Sequence, residues 1–339
     1  MSELSVLAQQ VAEATRALPA AVRRHVAVTP LTSLRAASES GDAKFLLKCE
    51  HQQKTGSFKV RGALAKLWSL TDEERRRGVI AASTGNHGLG VAHALAALGG
   101  TGLVCVPAGA SPVKVAAIRR YGVEVRVTGA EPAETERLAR RLAAAEQLTY
   151  ISPYNDLSVI AGQGTVGEEI VQQAGDRPVD AVVVAVGGGG LISGAAAAVK
   201  SAWPGVRVIG ASPVNDAAMA ASVRAGRVVE VAAKPTISDA TAGGVEEGAI
   251  TLPLCAELVD EWLLIEEAEI HSALRLMIDT EHQLVEGSAA TGLKTGRGQP
   301  GQTIVIVSCG ANIASDALAE AIAPPREDVA DSTGGYAGQ

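Results

Sequence analysis

Short apolar runs alternate along this chain with longer segments in which alanine and leucine recur at the spacing of a helix. The apolar runs have the length of buried strands and occur at residues 44–48, 78–82, 102–106, 124–127, 181–186, 207–210 and 303–307. The intervening helical segments include residues 88–98, 112–121, 132–146 and 162–173. Such alternation is typical of βαβ units, in which helices cover both faces of a parallel sheet. The pattern therefore predicts an α/β fold.

Two breaks in this rhythm indicate how the chain is divided. Pro153 and the pair Asn155-Asp156 signal a loop, and residues 235–248 form a second stretch rich in Gly, Pro and Thr. Few contacts cross a domain boundary, so such breaks are candidate boundaries. The predicted units are a small domain at 75–149, a large discontinuous domain at 1–74 and 150–323, and a disordered tail at 324–339.

Composition and charge narrow the classes of protein to which the chain can belong. Hydrophobic residues make up 47% of the 339 residues and charged residues 20%, which suits a sizeable buried core. The net charge of −7 argues against a nucleic-acid partner. The four cysteines show no CxxC or Cys/His ligand spacing, and no apolar segment resembles a membrane span. We therefore expect a cytoplasmic enzyme without a membrane partner, a disulfide framework or a zinc site.

A lysine follows a Gly-Ser-Phe turn where a helical segment begins. Lys59 lies in the run Thr55-Gly56-Ser57-Phe58-Lys59-Val60-Arg61-Gly62-Ala63. A buried amine with a lowered pKa at this place would suit imine formation with a carbonyl group. Taken alone, however, a lysine is far more often a solvated helix residue. The motif gains weight only together with the others.

Four consecutive glycines, Gly187 to Gly190, follow an apolar strand and precede an alanine-rich helix. Without side chains, the backbone N–H groups of such a loop can face a phosphate group, aided by the positive end of the helix. The spacing fits neither the GxGxxG dinucleotide fingerprint nor the Gly-Lys-Ser/Thr loop of nucleoside triphosphatases. A cradle for a monophosphate is favoured, and a bare glycine-rich turn is the alternative.

Two further turns follow apolar strands. The run Ser83-Thr84-Gly85-Asn86-His87-Gly88 offers N–H groups and hydroxyls that suit a carboxylate, and Asn86 can donate to a phenolate oxygen. His87 by itself would more often be a packed or capping residue. The run Ser308-Cys309-Gly310-Ala311-Asn312 is, in isolation, only a strand-to-helix turn.

The order and spacing of these motifs resemble those of the serine/threonine dehydratase family of pyridoxal-phosphate (PLP) enzymes, which have the tryptophan synthase β fold (fold type II). The resemblance extends from about residue 25 to about residue 320. The segments that carry it are 29–31, 48–51, 55–63, 83–88, 159–165, 186–194, 286–290 and 309–312. It implies two lobes, each with a mainly parallel twisted sheet flanked by helices, with pyridoxal 5'-phosphate bound to the large domain in the cleft between them.

The resemblance also implies roles for individual residues. Lys59 would carry the cofactor as a Schiff base and remove the α-proton of the substrate. Phe58 would pack beside the pyridine ring, Asn86 would donate to the ring hydroxyl, and Glu286 would also contact the cofactor. The residues expected at the cofactor phosphate are Gly187, Gly188, Gly189, Gly190 and Leu191. Those expected to bind the substrate are Ser83, Thr84, Gly85, Asn86 and His87, with Ser83 and Thr84 also placed among the catalytic residues.

The group that faces the pyridine nitrogen is expected to be Cys309, where most relatives have serine, with Ser308 as the alternative. Adjacent strand residues point to opposite faces, so only one of them can reach the ring. Either side chain is neutral and does not enforce protonation of the nitrogen as a carboxylate would. A free carbanion is then less stabilised, which favours expulsion of a β-hydroxyl over transamination.

Three positions depart from common members of the family. Thr84 stands where racemases have a serine that acts on the opposite face of the substrate, so a racemase side activity stays open. The run at 211–216 lacks the glutamate with which some relatives bind a divalent cation, so no metal is predicted. Ala240 replaces a glycine, and its methyl group would narrow the substrate pocket or shift its loop.

The leading expectation is α,β-elimination of water from a β-hydroxy amino acid such as L-threonine or L-serine, giving a 2-oxo acid and ammonia, by a homodimeric enzyme. Within the family, the alternatives are an amino-acid racemase with elimination as a side reaction and a dehydratase of hydroxyectoine utilisation. A β-replacement synthase fits less well because its asparagine loop usually lacks the histidine. From another class, a non-catalytic PLP-binding or nucleotide-binding protein remains open, and visible absorbance of a bound cofactor would separate it from the enzyme.

Overall fold

A computed structural model describes residues 4–35, 43–293 and 298–323 of the chain, and the tail predicted at 324–339 lies outside these ranges. The strands are β1 (Leu31–Ser33), β2 (Lys44–Lys48), β3 (Val79–Ala82), β4 (Gly102–Val106), β5 (Glu124–Val127), β6 (Thr149–Tyr150), β7 (Ala181–Ala185), β8 (Arg207–Pro213), β9 (Glu261–Ile265) and β10 (Thr303–Val307). The helices are α1 (Val6–Arg16), α2 (Ala20–Arg23), α3 (Lys59–Ser69), α4 (Asp72–Arg77), α5 (Asn86–Leu98), α6 (Pro112–Arg119), α7 (Pro132–Glu146), α8 (Leu157–Ala174), α9 (Gly190–Ala202), α10 (Ala218–Ala225), α11 (Thr251–Leu258), α12 (Glu267–Asp279), α13 (Gly287–Leu293) and α14 (Ser315–Ile322).

The larger sheet has six strands in the order β1-β2-β10-β7-β8-β9. Every neighbouring pair is parallel except β1 and β2, and Val305 of β10 lies opposite Leu46 on one side and Val182 on the other. Every residue of β7 and β10 is buried, because helices cover both faces of the sheet. The continuous apolar runs in the sequence reflect this two-sided burial.

The smaller sheet has four parallel strands in the order β5-β4-β3-β6. Its core includes Val79 and Val104 of the sheet and also Val60, Leu64 and Val159, which come from helices outside residues 75–149. The helices α3 and α8 therefore pack between the two sheets' cores. The domain limits expected from the sequence stay a prediction.

The apolar pattern did not predict β1, β6 and β9. The first two contain only three and two residues, too few for a recognisable alternation. β9 lies at the edge of its sheet and is only partly buried, so it lacks the two-sided cover that marks the central strands. The other strands lie where the pattern predicts them, within a few residues at their ends.

The parallel strands bring the motifs of the sequence together at their carboxyl ends. The glycine loop (residues 187–190) follows β7, the Ser83 loop (residues 83–88) follows β3, and Cys309 follows β10. Ligands in open α/β sheets bind at this edge. The turn that precedes Lys59 joins the same edge, because Ser57 forms an isolated antiparallel bridge with Gly310.

Close packing of α3 against α8 requires glycine at their crossing point. A Cβ atom on Gly162 would lie 2.6 Å from the Cα atom of Gly62 and 2.6 Å from the carbonyl oxygen of Arg61. Both distances are shorter than atoms tolerate. The two glycines therefore allow the helix that begins at Lys59 to lie directly on its neighbour.

Four buried charged side chains fasten the beginning of α3. Arg61 donates to both carboxylate oxygens of Glu50, each at 2.7 Å, and to Glu169 at 2.7 and 2.9 Å. Lys48 donates to the same Glu169 at 2.6 Å. Burial alone would raise the pKa of Glu50, but the charge and hydrogen bonds of Arg61 hold that pKa below its ordinary value. Two cations thus neutralise two anions, and the network ties β2, α3 and α8 together two residues after Lys59.

Candidate active site

Two adjoining cavities lie at the carboxyl edges of the two sheets. The smaller has a volume of about 40 Å³ and is lined by the glycine loop, and the larger has a volume of about 730 Å³ and is lined by the Ser83 loop. The residues that line both are Lys59, Asn86, Tyr154, Gly188, Ala240, Thr241 and Glu286. Lys59 therefore lies where the cavity at the glycine loop meets a cavity large enough for an amino acid.

Lys59 occupies this junction as a partly buried amine. Its Nζ atom donates to the carbonyl oxygen of Pro153 at 2.8 Å and lies 5.2 Å from the centre of the Phe58 ring. Burial lowers its pKa to about 8, against the opposing influence of Cys309 and Glu286. A substantial fraction of the amine is therefore neutral near pH 7 to 8, which is the form that attacks a carbonyl group.

The glycine loop has little room for side chains. A Cβ atom on Gly188 would lie 2.4 Å from Cδ1 of the Tyr154 ring, and one on Gly187 would lie 2.7 Å from the carbonyl oxygen of Thr241. Gly189 has a φ of +84° and precedes α9 directly. The first N–H groups of a helix have no partners within it, so this loop presents free donors and a positive helix end to an anion. Leu191, in the first turn of α9, lines the same small cavity.

The Ser83 loop lines the larger cavity with all five residues predicted to bind substrate. The Ser83 hydroxyl accepts from the Gly85 N–H at 3.1 Å, which shapes the turn into α5. His87 is buried and its Nε2 atom lies 2.9 Å from the carbonyl oxygen of Ile151. Burial lowers the pKa of His87 to about 3, and the neutral ring must therefore donate from Nε2. This hydrogen bond fixes the orientation of the His87 ring, and His87 lines the larger cavity together with Ser83 and Thr84.

Asn86 and Glu286 form a buried pair between the cavities. The Nδ2 atom of Asn86 donates to the two carboxylate oxygens at 2.8 and 3.1 Å. Asn312 completes the arrangement, because its N–H donates to Glu286 at 3.0 Å and its Nδ2 atom donates to Oδ1 of Asn86 at 2.6 Å. Sequence reasoning matched Asn312 to the family turn but gave it no role at the site. Its position in the turn after a buried strand was the available signal.

Cys309 lines the smaller cavity, and the lining of neither cavity includes Ser308. Ser308 is buried, and its hydroxyl has no hydrogen-bond partner within the described structure. Burial, and next the charge of Glu286, raise the pKa of the Cys309 thiol well above its ordinary value. The side chain at this end of the cavity is therefore a neutral thiol.

Tyr154 is a site residue that sequence reasoning missed. Its ring covers the glycine loop, and its hydroxyl accepts from the N–H of Glu246 at 2.9 Å. The sequence pattern marked its surroundings only as a loop. The proline and the Asn-Asp pair beside it were the available signal, but they indicate a turn and give no direction for the ring.

The structure also bears on Ala240, on metal binding and on membrane-spanning helices. Ala240 lines both cavities, so its methyl group is at the wall where the sequence placed a change in the pocket. Within residues 4–35, 43–293 and 298–323, no three His, Cys, Asp or Glu side chains are grouped so as to hold a metal ion. None of the helices in the described ranges combines the length and apolar character that crossing a membrane requires.

These residues fit pyridoxal 5'-phosphate. The cofactor needs an amine for covalent attachment, donors for a phosphate group, a polar group beside its ring hydroxyl and a partner for its pyridine nitrogen. Lys59, the glycine loop, Asn86 and Cys309 supply these around one pair of joined cavities. The space at the loop exists because its residues carry no side chains.

Comparison with known proteins agrees with the geometry. The sequence model of the family described as pyridoxal-phosphate dependent enzyme matches residues 22–310. The L-threonine ammonia-lyase of Thermotoga maritima is 39% identical over 308 residues, which cover 90% of this chain and 75% of that protein. The solved structure of the processed form of threonine deaminase isoform 2 from Solanum lycopersicum has a TM-score of 0.88 at 30% identity and covers 94% of each chain. Maize serine racemase has a TM-score of 0.84 at 29% identity, covering 92% of this chain and 96% of the racemase.

These matches confirm the fold, the family and the cofactor expected from the order of the motifs. They cover nearly the whole described chain, and the family match includes Lys59, the Ser83 loop, the glycine loop and Glu286. This chain therefore belongs to the family of pyridoxal-phosphate dependent enzymes.

Proposed function

We propose that this chain is a PLP-dependent ammonia-lyase that removes water from a β-hydroxy amino acid such as L-threonine or L-serine, with a 2-oxo acid and ammonia as products. The observation that carries the proposal is the position of the Lys59 amine, with its lowered pKa, between the glycine loop and the larger cavity. The relatives named threonine ammonia-lyase and threonine deaminase support the reaction and the substrate class.

The residues that would hold the cofactor divide its parts among them. Lys59 would bind it covalently through Nζ, and the N–H groups of residues 187–190 would bind its phosphate. Glu286 and Asn312 fix the orientation of Asn86 where the two cavities meet, and its amide would there donate to a ring hydroxyl. When bound, pyridoxal phosphate supplies a sink for the electrons left by removal of an α-proton.

The remaining work belongs to side chains of the protein. The hydroxyls of Ser83 and Thr84, with the N-terminus of α5, would hold the carboxylate of the amino acid. The Lys59 amine would accept the α-proton at Nζ, because its pKa near 8 suits a base that works close to neutral pH. The neutral Cys309 thiol would add no charge beside the pyridine nitrogen of the cofactor, which would favour loss of the β-hydroxyl over transamination.

A second reaction is favoured by one observation. Thr84, which carries a hydroxyl, lines the larger cavity, and a group that protonates the second face of the substrate would give racemisation. The fold likeness to maize serine racemase supports this as a side activity. Thr84→Val removes this hydroxyl. We expect the variant to lose inversion of serine, while its release of 2-oxo acid by elimination stays measurable.

The proposal includes a homodimer in the cytoplasm and the division into a small domain at 75–149 and a larger discontinuous domain. The resemblance to the family supports the homodimer and the division into two domains. The mass of the purified protein in solution, measured by light scattering, tests the dimer: a monomeric mass at working concentrations would contradict it.

The decisive assay uses a panel of L- and D-β-hydroxy amino acids and measures 2-oxo acid and ammonia. We expect release of both products from at least one L-substrate. Lys59→Ala should lower the rate by about a thousandfold or more and remove the visible absorbance of the bound cofactor. Lys54→Ala is the matched control, since Lys54 is an exposed lysine of the same segment and should keep both properties. Inversion of serine without 2-oxo acid would overturn the lyase assignment.

A further inference from the structure

Three consecutive residues link the amine, the glycine loop and one wall of the larger cavity. The carbonyl oxygen of Pro153 accepts from Lys59, the ring of Tyr154 covers the glycine loop, and Oδ1 of Asn155 accepts from the N–H of Ile250 at 2.9 Å. Tyr154 contacts both the glycine loop, at the cofactor end of the site, and the wall of the larger cavity, at the substrate end. Its ring and its hydroxyl have different partners, so their effects can be separated.

The ring of Tyr154 belongs to the cofactor end. Its atoms come so close to Gly188 that a Cβ atom there would lie 2.4 to 2.6 Å from three of them, and a Cβ atom on Gly190 would lie 3.0 Å from the Tyr154 backbone. The ring is partly buried and lines both cavities. The ring therefore closes the glycine loop on the side of the larger cavity.

The hydroxyl of Tyr154 belongs to the substrate end. Residues 239–247 form a stretch without helix or strand, here named the cover segment, and residues 239–244 of it line the larger cavity. The N–H of Glu246 donates to the Tyr154 hydroxyl at 2.9 Å. The carboxylate of Glu246 in turn pairs with Arg140 of α7 at 2.6 Å. The Tyr154 hydroxyl thus fixes the backbone of the cover segment at Glu246. The side chain of the same residue binds Arg140 of α7, the helix on the opposite wall of the larger cavity.

Other contacts hold the remainder of the cover segment. The N–H of Gly243 donates to Asp216 at 2.7 Å, and Asp239 pairs with Lys114 across 3.6 Å. Between Gly243 and Glu246 only two residues intervene, one of them Gly244, whose lack of a side chain leaves the backbone free to shift. Loss of the Tyr154 contact would therefore loosen the cover segment from Gly244 onward, and with it the cavity wall at Gly244.

We propose that Tyr154 is a specificity-determining residue, whose hydroxyl holds the cover segment against the larger cavity and so limits the length of the amino-acid side chain that the site accepts. The inference deepens the proposed function, because it concerns the substrate of the same site. It divides Tyr154 into two roles: the ring supports cofactor binding, and the hydroxyl sets substrate length.

The test is Tyr154→Phe, which keeps the ring against Gly188 and removes only the acceptor of the Glu246 N–H. Dissociation constants are measured on the cofactor-loaded protein with L-alanine, L-2-aminobutyrate and L-norvaline, which have no β-hydroxyl to expel, by the change in cofactor absorbance. We expect the preference for L-alanine over L-norvaline to fall about fivefold or more, the size of effect that one hydrogen bond accounts for. Cofactor affinity should stay within about twofold of the wild-type value.

Tyr121→Phe is the matched control. Tyr121 packs edge-on against His93 and does not line either cavity, so loss of its hydroxyl should leave the preference unchanged. Amide hydrogen exchange gives an independent measurement: peptides from residues 243–249 should exchange faster in Tyr154→Phe than in the wild type and in Tyr121→Phe.

An unchanged preference in Tyr154→Phe, with the cofactor bound, would overturn the proposal, and so would loss of cofactor binding, because the retained ring should support it. These outcomes differ from failure of the proposed function. The ligands used are not eliminated, so the length preference can be measured even if no β-hydroxy amino acid yields a 2-oxo acid.

Discussion

The Nδ2 atom of Asn86 donates to both carboxylate oxygens of Glu286, at 2.8 and 3.1 Å, across 200 residues of sequence. Burial, and next the charge of Asp239, raise the pKa of Glu286 to about 7, although the hydrogen bonds from Asn86 and from the Asn312 N–H act in the opposite direction. Near neutral pH this side chain therefore exists as a mixture of acid and carboxylate, and the orientation of Asn86 is coupled to its proton.

The first prediction concerns the pH dependence of stability. The pKa of Glu286 is 4.5 in an ordinary environment and about 7 in the fold, so the folded protein binds more protons than the unfolded chain between these values. Its contribution is complete below pH 4.5 and is lost as the pH rises through 7, a change on the order of 3 kcal/mol. Urea unfolding at pH 5 to 8 should show a smaller decline in the free energy of unfolding for Glu286→Gln than for the wild type.

Glu73→Gln is the control for this experiment, because Glu73 is exposed. It should retain the wild-type dependence on pH. If Glu286→Gln and Glu73→Gln decline in parallel with the wild type, the raised pKa of Glu286 is wrong.

A second prediction concerns attachment of the cofactor. Lys59 must be neutral to attack a carbonyl group, and burial lowers its pKa from 10.5 to about 8. The neutral fraction, and with it the attachment rate, should rise about tenfold per pH unit below 8 and level off above it. Absorbance measurements after cofactor-free protein is mixed with pyridoxal phosphate at pH 6 to 10 would give this profile. A rate that still climbs steeply between pH 9 and 10 would indicate an ordinary lysine.

A third prediction concerns the glycine loop. In Gly188→Ala the new methyl group would lie 2.4 Å from the Tyr154 ring, so the ring or the loop must move. We expect the affinity for pyridoxal phosphate to fall about tenfold or more, since displacement of the loop misplaces the donors to the phosphate. Gly205→Ala is the matched control, because a Cβ atom there meets nothing within 4 Å. Equal affinities of the two variants, from titration of cofactor-free protein, would contradict this account of the loop.

A fourth prediction concerns the buried charged network of Lys48, Glu50, Arg61 and Glu169 at the beginning of α3. Arg61→Met would leave the buried carboxylates of Glu50 and Glu169 without their main partner, and breaking a buried pair in this way typically costs about 3–5 kcal/mol. Arg207→Met removes an arginine from the surface pair with Glu261, for which a cost of about 1 kcal/mol or less is expected. Denaturant unfolding compares the two, and equal losses would show that the network contributes no more than a surface pair.

Much of the fold could be predicted from local patterns. Central strands such as β7 and β10 appear in the sequence as uninterrupted apolar runs, because both of their faces are buried. The motifs lie directly after such runs, and the carboxyl ends of parallel strands share one edge of a sheet. The sequence alone therefore assigns Lys59, the Ser83 loop and the glycine loop to one site.

The partners within the site could not be predicted in the same way. His87 could face a substrate or pack inside, and the sequence did not reveal that its ring donates to the Ile151 carbonyl while the residue lines the larger cavity. Cys309 and Ser308 are adjacent, and the lining of the small cavity includes only the first. Tyr154 and Asn312 had no recognisable pattern of their own. Each of these outcomes depends on which chain segments meet in space.

The sequence by itself determined the α/β fold, the family and the chemistry of the amine and the glycine loop, because burial periodicity and backbone freedom are properties of short segments. The tertiary structure alone decided the pKa of Lys59, the coupling of Asn86 to Glu286 and the bond from the Glu246 N–H to Tyr154. These depend on burial and on contacts between residues about ninety to two hundred positions apart, which no local pattern encodes.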